Sequence, residues 1–249
     1  MRKLTLAVGS SLVLAAPFLA VPLAQADVVG LGASVSYWDS DLSGTASSGN
    51  SVVDVDNELQ MKVDGNANAS IYLEHPVPVL PNVRLAYTLV QQSGRGTLTN
   101  SYINIGAGAS VRSDLDLEQL DLTLYYEILD NWVNLDLGVT VRDFSGELLV
   151  QNIANASQVS RTEADGVLPM GYLAARFDLP LTGAAVGAEG NFISFDGDSM
   201  RDFNVYGQYS ISLLQLRAGY RQIAIDYEDG NDAFDVKIDG PFISAGVTF

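Results

Sequence analysis

The chain has 249 residues and a mass of 26.6 kDa, of which 47% are hydrophobic and 17% charged, well below the roughly 25% charged that is usual for a soluble domain. Lys plus Arg number 13 against 30 Asp plus Glu, a net charge of −17, which argues against nucleic acid, where clustered cations neutralising phosphate supply most of the affinity. Cys is absent and His occurs once, as His75, so disulfide scaffolds, thiolate metal sites, Cys nucleophiles and multi-His zinc sites are excluded.

At the N-terminus, Met1-Arg2-Lys3 provides a positive n-region and residues 4–20 an apolar stretch broken at Pro17, with Ala24-Gln25-Ala26 as a small-x-small cleavage site. This is the pattern of a secretory signal peptide over residues 1–26, with residues 27–249 as the mature domain; an uncleaved membrane anchor is the competing reading. No later stretch approaches ~18 consecutive apolar residues, so no transmembrane helix is expected beyond it.

From residue 29 onward the dominant signal is a period of two. Apolar residues alternate with polar or small ones over residues 29–37, 67–73, 83–89, 120–128, 133–141, 173–179, 184–192, 203–211, 214–221 and 243–249. The intervals 75–81, 129–132, 180–183 and 212–213 are short and turn-like, whereas 39–65, 92–118 and 143–165 are long and polar, and 196–201 and 228–233 intermediate. Ten antiparallel strands with short turns at one end and longer loops at the other predict an all-β fold, a transmembrane up-and-down β-barrel, with eight strands as the alternative count. Both termini would then be periplasmic and the location the bacterial outer membrane.

A soluble β-barrel or sandwich also alternates. Here, however, the apolar register carries no charge through the body of the ten segments, while the opposite register holds Glu74, Arg84, Asp121, Glu127, Asp136, Arg176, Glu189, Arg217 and Arg221. Those charges could not share a dry core unpaired, so they are expected to face a polar lumen and to pair across it. Small barrels are commonly filled by side chains, and a filled, salt-bridged interior is favoured over a narrow pore. The aromatics Tyr37, Trp38, Tyr87, Phe192 and Phe203 near the loop ends, and Trp132, Phe177, Tyr209 and Phe249 near the turn ends, are expected to form two interfacial girdles. The ending with Ala245, Val247 and Phe249 at alternate positions is similar to the C-terminal signal that the barrel-insertion machinery recognises in bacterial outer-membrane proteins.

Three blocks, residues 30–44 with Tyr37-Trp38 and Asp41-Leu42-Ser43-Gly44, residues 73–85 with the turn His75-Pro76-Val77-Pro78, and residues 239–249, resemble a family of small, largely uncharacterised outer-membrane β-barrel proteins of Gram-negative bacteria. That resemblance implies location and architecture; the family brings no catalytic motif.

Chemistry is sparse. Outer-membrane proteases and phospholipases need a His near the extracellular rim, whereas His75 lies in a Pro-rich turn at the other end, so no enzyme is expected. The acidic groups Asp54, Asp56 and Glu58, then Asp114, Asp116 and Glu118, Asp196 and Asp198, and Glu228, Asp229 and Asp232 are expected to form a hydrated surface without a cofactor. Loop-bound Ca²⁺ or Mg²⁺ is a lesser possibility, since none of these groups has EF-hand spacing. The expected partners are outer-membrane lipid, lipopolysaccharide and the insertion machinery, with the chain a monomer. A structural or interactive role leads; a small channel or conduit for small or hydrophobic solutes is the alternative.

Overall fold

The computed structural model describes residues 29–48, 51–229 and 232–249; the proposed signal peptide lies outside the described residues. Twelve strands follow one another with no helix among the described residues: β1 (Gly30–Trp38), β2 (Asp41–Ser48), β3 (Ser51–Asp54), β4 (Met61–Glu74), β5 (Asn82–Thr97), β6 (Ser110–Asp130), β7 (Val133–Asn152), β8 (Val159–Asp178), β9 (Ala184–Phe195), β10 (Asp198–Ile211), β11 (Leu214–Asp229) and β12 (Asp232–Thr248). Each of β4 to β11 pairs antiparallel with the next, and β1 closes the sheet between β4 and β12, giving a ten-stranded barrel. β2 continues β1 along β12 in the same register past Asp39 and Ser40, and β3 folds back on β2. Leu31 and Phe249 exchange backbone hydrogen bonds of 3.2 and 2.8 Å, so the start of β1 and the end of β12 lie at the short-turn end of the barrel.

The strands run much further than the alternating segments. Residues 143–152, 110–118 and 159–165, expected as loop, are strand, and the interval 196–201 shrinks to the two-residue turn Asp196-Gly197, both with positive φ (54° and 100°), the backbone of a tight hairpin. The reason is a switch of register. Towards the short-turn end the outward residues are apolar: Leu120, Leu122, Leu124 and Tyr126 on β6, Leu137, Val139 and Val141 on β7, and Leu216 and Tyr220 on β11 are all exposed. Beyond them the outward residues become Glu118, Asp143, Asp165, Arg201, Gln222 and Asp39. There the apolar side chains move to the inward register instead, as Leu117, Leu148, Val150, Met170, Met200, Ile223 and Ile238, all buried. One half of the barrel is therefore apolar outside and polar inside; the other half has the polarity of a soluble barrel. The acidic excess assigned to loops sits largely on the outer face of this second half.

The mouth of that half is filled by two connections. Residues 55–60 and 98–109 fold inward and bury Val55, Leu59, Leu98, Tyr102 and Ile105 against the inward apolar residues. Gln60 turns the chain with φ 51°, and the turn lies against two inward glycines of β5: a Cβ on Gly96 would stand 1.8 Å from the carbonyl oxygen of Glu58, and one on Gly94 2.3 Å from that of Leu59. Glu58 ties the two connections together by accepting the Thr99 backbone N–H at 3.1 Å. Backbone and side-chain donors of Asn57 hold the Asp54 carboxyl below the usual carboxylate range, a support for the turn that is lost as pH falls through that lowered value. Trp38, expected in an outer girdle, is instead inward and 2% exposed, because it takes the even, lumen-facing register of β1; its indole N–H donates to the Gly240 carbonyl at 3.1 Å.

Because two carbonyls occupy the space beside these glycines, Gly96→Val should displace the turn and destabilise the barrel by about 1–3 kcal/mol. The midpoint of urea unfolding of the refolded protein measures this, and an unchanged midpoint would show that the turn does not depend on the bare backbone.

Candidate functional site

The lumen of the first half is lined by short polar residues alternating with long charged ones, and its centre is a chain of ion pairs. Arg142 on β7 has a fully buried side chain; its Nε and Nη2 donate to the two Asp121 oxygens at 2.7 Å each, and Nη2 also to Asp202 at 2.7 Å. Arg221 on β11 grips the same Asp202 through Nε and Nη2 at 2.9 and 2.8 Å and lies over the Trp38 ring at 5.1 Å. These four groups sit where the wall changes polarity, directly below the apolar filling. Each carboxylate is held from two directions or by a planar fork, the geometry in which buried charge is tolerable.

A second pair crosses the barrel one level lower. Arg84 on β5 meets Glu189 on β9 through two parallel hydrogen bonds of 3.0 and 3.1 Å, and Asn204 adds a third donor to Glu189 at 3.1 Å. Arg217 donates to Gln208 at 2.8 Å and stacks over Tyr206 at 4.5 Å rather than meeting a carboxylate. Together with serines and asparagines these residues line a polar cavity of about 70 Å³, room for a few waters.

The remaining charges lie towards the short-turn end. Glu74 accepts the Tyr125 hydroxyl at 2.9 Å, Glu127 accepts from Asn82 at 3.3 Å, and Arg176 pairs with Asp178 at 3.1 Å. Asp136 stands on the rung of Glu127, so this mouth of the lumen is acidic. Of the nine charges read from the inward register, Arg84 and Glu189 meet directly, whereas Asp121 and Arg221 meet only through Arg142 and Asp202. Those two were missed because the alternating segments stop at Val141 and start at Phe203, one residue short of each. A buried cation and anion immediately past the end of an apolar alternation were the available signal.

His75 is fully engaged in its turn: its backbone N–H donates to Asn82 at 3.0 Å, Nδ1 accepts the Val77 N–H at 3.3 Å, and Nε2 lies 3.1 Å from the Pro81 carbonyl. Asp54 accepts from Asp56 and Asn57, Asp114 pairs with Arg112 at 3.1 Å, Asp116 accepts from Gln91 at 2.8 Å, and Asp198 accepts the Glu228 backbone N–H at 2.9 Å. Among the described residues no group of three or more His, Asp or Glu is placed to hold a metal ion. Ala245 and Val247 point outward on β12 at the short-turn end, with exposed Phe249 just past its last residue.

No protein-family model matches the sequence, and no curated protein matches it. Among solved structures, the crystal structure of the P. putida toluene transporter TodX is similar over 89% of each chain, with 11% identity and a TM-score of 0.33. A likeness that distant bears on neither ligand nor activity.

Replacing Arg142 by Met strips Asp121 of its guanidinium and leaves Asp202 to Arg221 alone, which should cost about 3–5 kcal/mol, whereas Arg161→Ala, which breaks an exposed pair with Glu147, should cost under about 1 kcal/mol. Urea unfolding midpoints of the two variants in the same detergent give the comparison; equal losses would deny the buried quartet its structural weight.

Proposed function

We propose that this protein is an integral outer-membrane β-barrel without enzymatic activity, whose role is structural and interactive and is exerted by the acidic half that stands outside the membrane. The observation that carries this reading is the reversal of polarity on the outer face. An exposed belt of Leu, Val, Ile, Phe and Tyr around the whole circumference has no favourable neighbour in water. It suits hydrocarbon: on β7 the apolar outward residues span 133–141, and nine residues at roughly 3.3 Å each, tilted by roughly 40°, rise about 23 Å, close to the roughly 25 Å height of the apolar band of such barrels. Above it the wall carries Asp, Glu and Arg and matches water.

The even strand number, with β1 starting and β12 ending at the short-turn end, fits a barrel inserted with both ends of its wall towards the periplasm. The outward Ala245, Val247 and Phe249 are then the groups offered to the insertion machinery, and the belt and the carboxylate-rich face above it meet lipid and lipopolysaccharide. A monomer without a cofactor suffices for this reading. The lumen supports it as well. Ion pairs cross its middle and apolar side chains fill its outer mouth, so the interior serves as a plug.

Planar-bilayer recording is the direct test. The refolded protein should give no steady conductance, and steps that shift when Glu189 is changed to Gln would replace the plugged reading with a narrow channel. Brominated lipids supply an independent check on the belt: they should quench Trp132, 58% exposed beside the belt's lower edge, and leave Trp38, 2% exposed in the lumen, unaffected.

A further inference from the structure

The wall of the outer half is not closed. β8 pairs with β7 along nearly its whole length, from Val159 to Phe177, but with β9 only from Gly171 to Asp178. β9 turns back into β10 at Asp196-Gly197, so β8 over residues 159–170 has no ladder partner on that side among the described residues.

The direction of its free groups follows from two backbone hydrogen bonds. The Asp178 N–H reaches the Trp132 carbonyl on the β7 side at 2.8 Å, and the Leu179 N–H reaches the Ala184 carbonyl on the β9 side at 2.8 Å. Alternation along an antiparallel strand then turns the N–H and C=O of even residues towards β7 and those of odd residues towards the gap. Val159, Arg161, Glu163, Asp165 and Val167 therefore present unpaired donors and acceptors there. Pro169 occupies the next odd position, where its missing N–H interrupts no bond to β7 and none to β9 can form. This explains why the β8–β9 ladder begins only at Gly171. It also removes a donor where the free edge descends into the apolar belt, the depth at which an unpaired N–H is most costly.

Above Pro169 the edge is in water and bordered by acid. Glu163 and Asp165 lie on it, and Asp198, Asp226 and Glu228 stand at the hairpin and on β11 across the gap, against Arg201 and an Arg161 already held by Glu147 at 3.1 Å. Two exposed apolar side chains, Val167 and Phe195, flank the acidic stretch.

We propose that this edge of β8 is a docking site for an extended, basic segment of another protein, which adds as a strand along residues 159–167 and lays cationic side chains against the acidic border. Strand addition draws affinity from main-chain hydrogen bonds and selectivity from alternate side chains, and the edge offers both. A second copy of this chain does not fit. Two barrels upright in one membrane are related by an axis along its normal, which makes their tilted wall strands cross instead of lying side by side. The siting of the partner outside the cell rests on the outer-membrane reading; the edge itself does not, and folding is checked separately by heat-modifiable gel migration.

The probe is a short fluorescent peptide of alternating valine and lysine, titrated into the refolded full barrel in detergent at low and high salt. Saturable binding is expected, weakened about tenfold when alternate peptide nitrogens are methylated, since several main-chain hydrogen bonds are lost, and weakened also by salt and by replacing lysine with glutamate. On the protein side, Glu163→Pro repeats the device of Pro169 at the same register and should weaken binding severalfold while preserving migration. The methylated peptide on the unaltered protein keeps the test decisive if that variant does not fold. Absence of saturable binding, or binding indifferent to methylation, would overturn the proposal by leaving only a charged surface. A change in oligomeric state on Glu163→Pro would overturn it in favour of a second copy.

Discussion

One wall has to satisfy two solvents. A β-strand sends successive side chains to opposite faces, so whatever the outer face must match, the inner face receives the remainder of the alternation. Where the outside is apolar, the inward positions are left to Ser, Asn, Thr and charged residues, and the interior is polar. Where the outside is acidic, the inward positions can be Leu, Val, Met and Ile, and the interior becomes a core. The two interiors are then stacked in one tube. Their junction is the demanding place, because charge from below meets a dry packing from above.

The quartet Asp121, Arg142, Asp202 and Arg221 occupies that junction. A buried ion pair seldom adds net stability over apolar residues of equal volume, yet losing one partner is costly. Its position suggests a boundary role: two guanidinium forks shared between two carboxylates draw β6, β7, β10 and β11 to one point. The Trp38 ring over Arg221 faces both regimes, with its apolar body against the core and its N–H on a backbone carbonyl. Below, Arg84 and Glu189 repeat the cross-barrel tie in a wetter setting.

Much of this was legible in the residues, and the part that was not has one physical origin. Strand number, the outward belt and the charged inward register follow from a period of two that holds for nine or so residues in each strand. The reading ended where the apolar parity flipped, as from Leu120 to Leu117 on β6, from Val141 to Leu148 on β7 or from Tyr220 to Ile223 on β11. A flip looks like the end of a strand when lipid is assumed throughout, though it is the continuation of a strand into water. Arg142 and Asp202 fell at the flip and were lost with it. Trp38 departs from the expected girdle for a related reason: it lies next to outward Tyr37, and neighbours on a strand face opposite ways.

Single residues decide how the outer half departs from a plain tube. Gly94 and Gly96 give backbone room for the turn of residues 55–60 to enter the mouth; side chains there would keep it out and leave Leu117, Val150 and their neighbours facing water. Pro169 acts on the other side of the barrel by withholding one donor, which parts β8 from β9 and lets the β9–β10 hairpin stop short. The consequences differ in kind. The glycines complete the core, so the half outside the belt does not need a continuous wall to keep its apolar side chains from water. With packing supplied from within, the wall can be left open at β8 without exposing the quartet below, and an unpaired strand edge can persist beside a filled core.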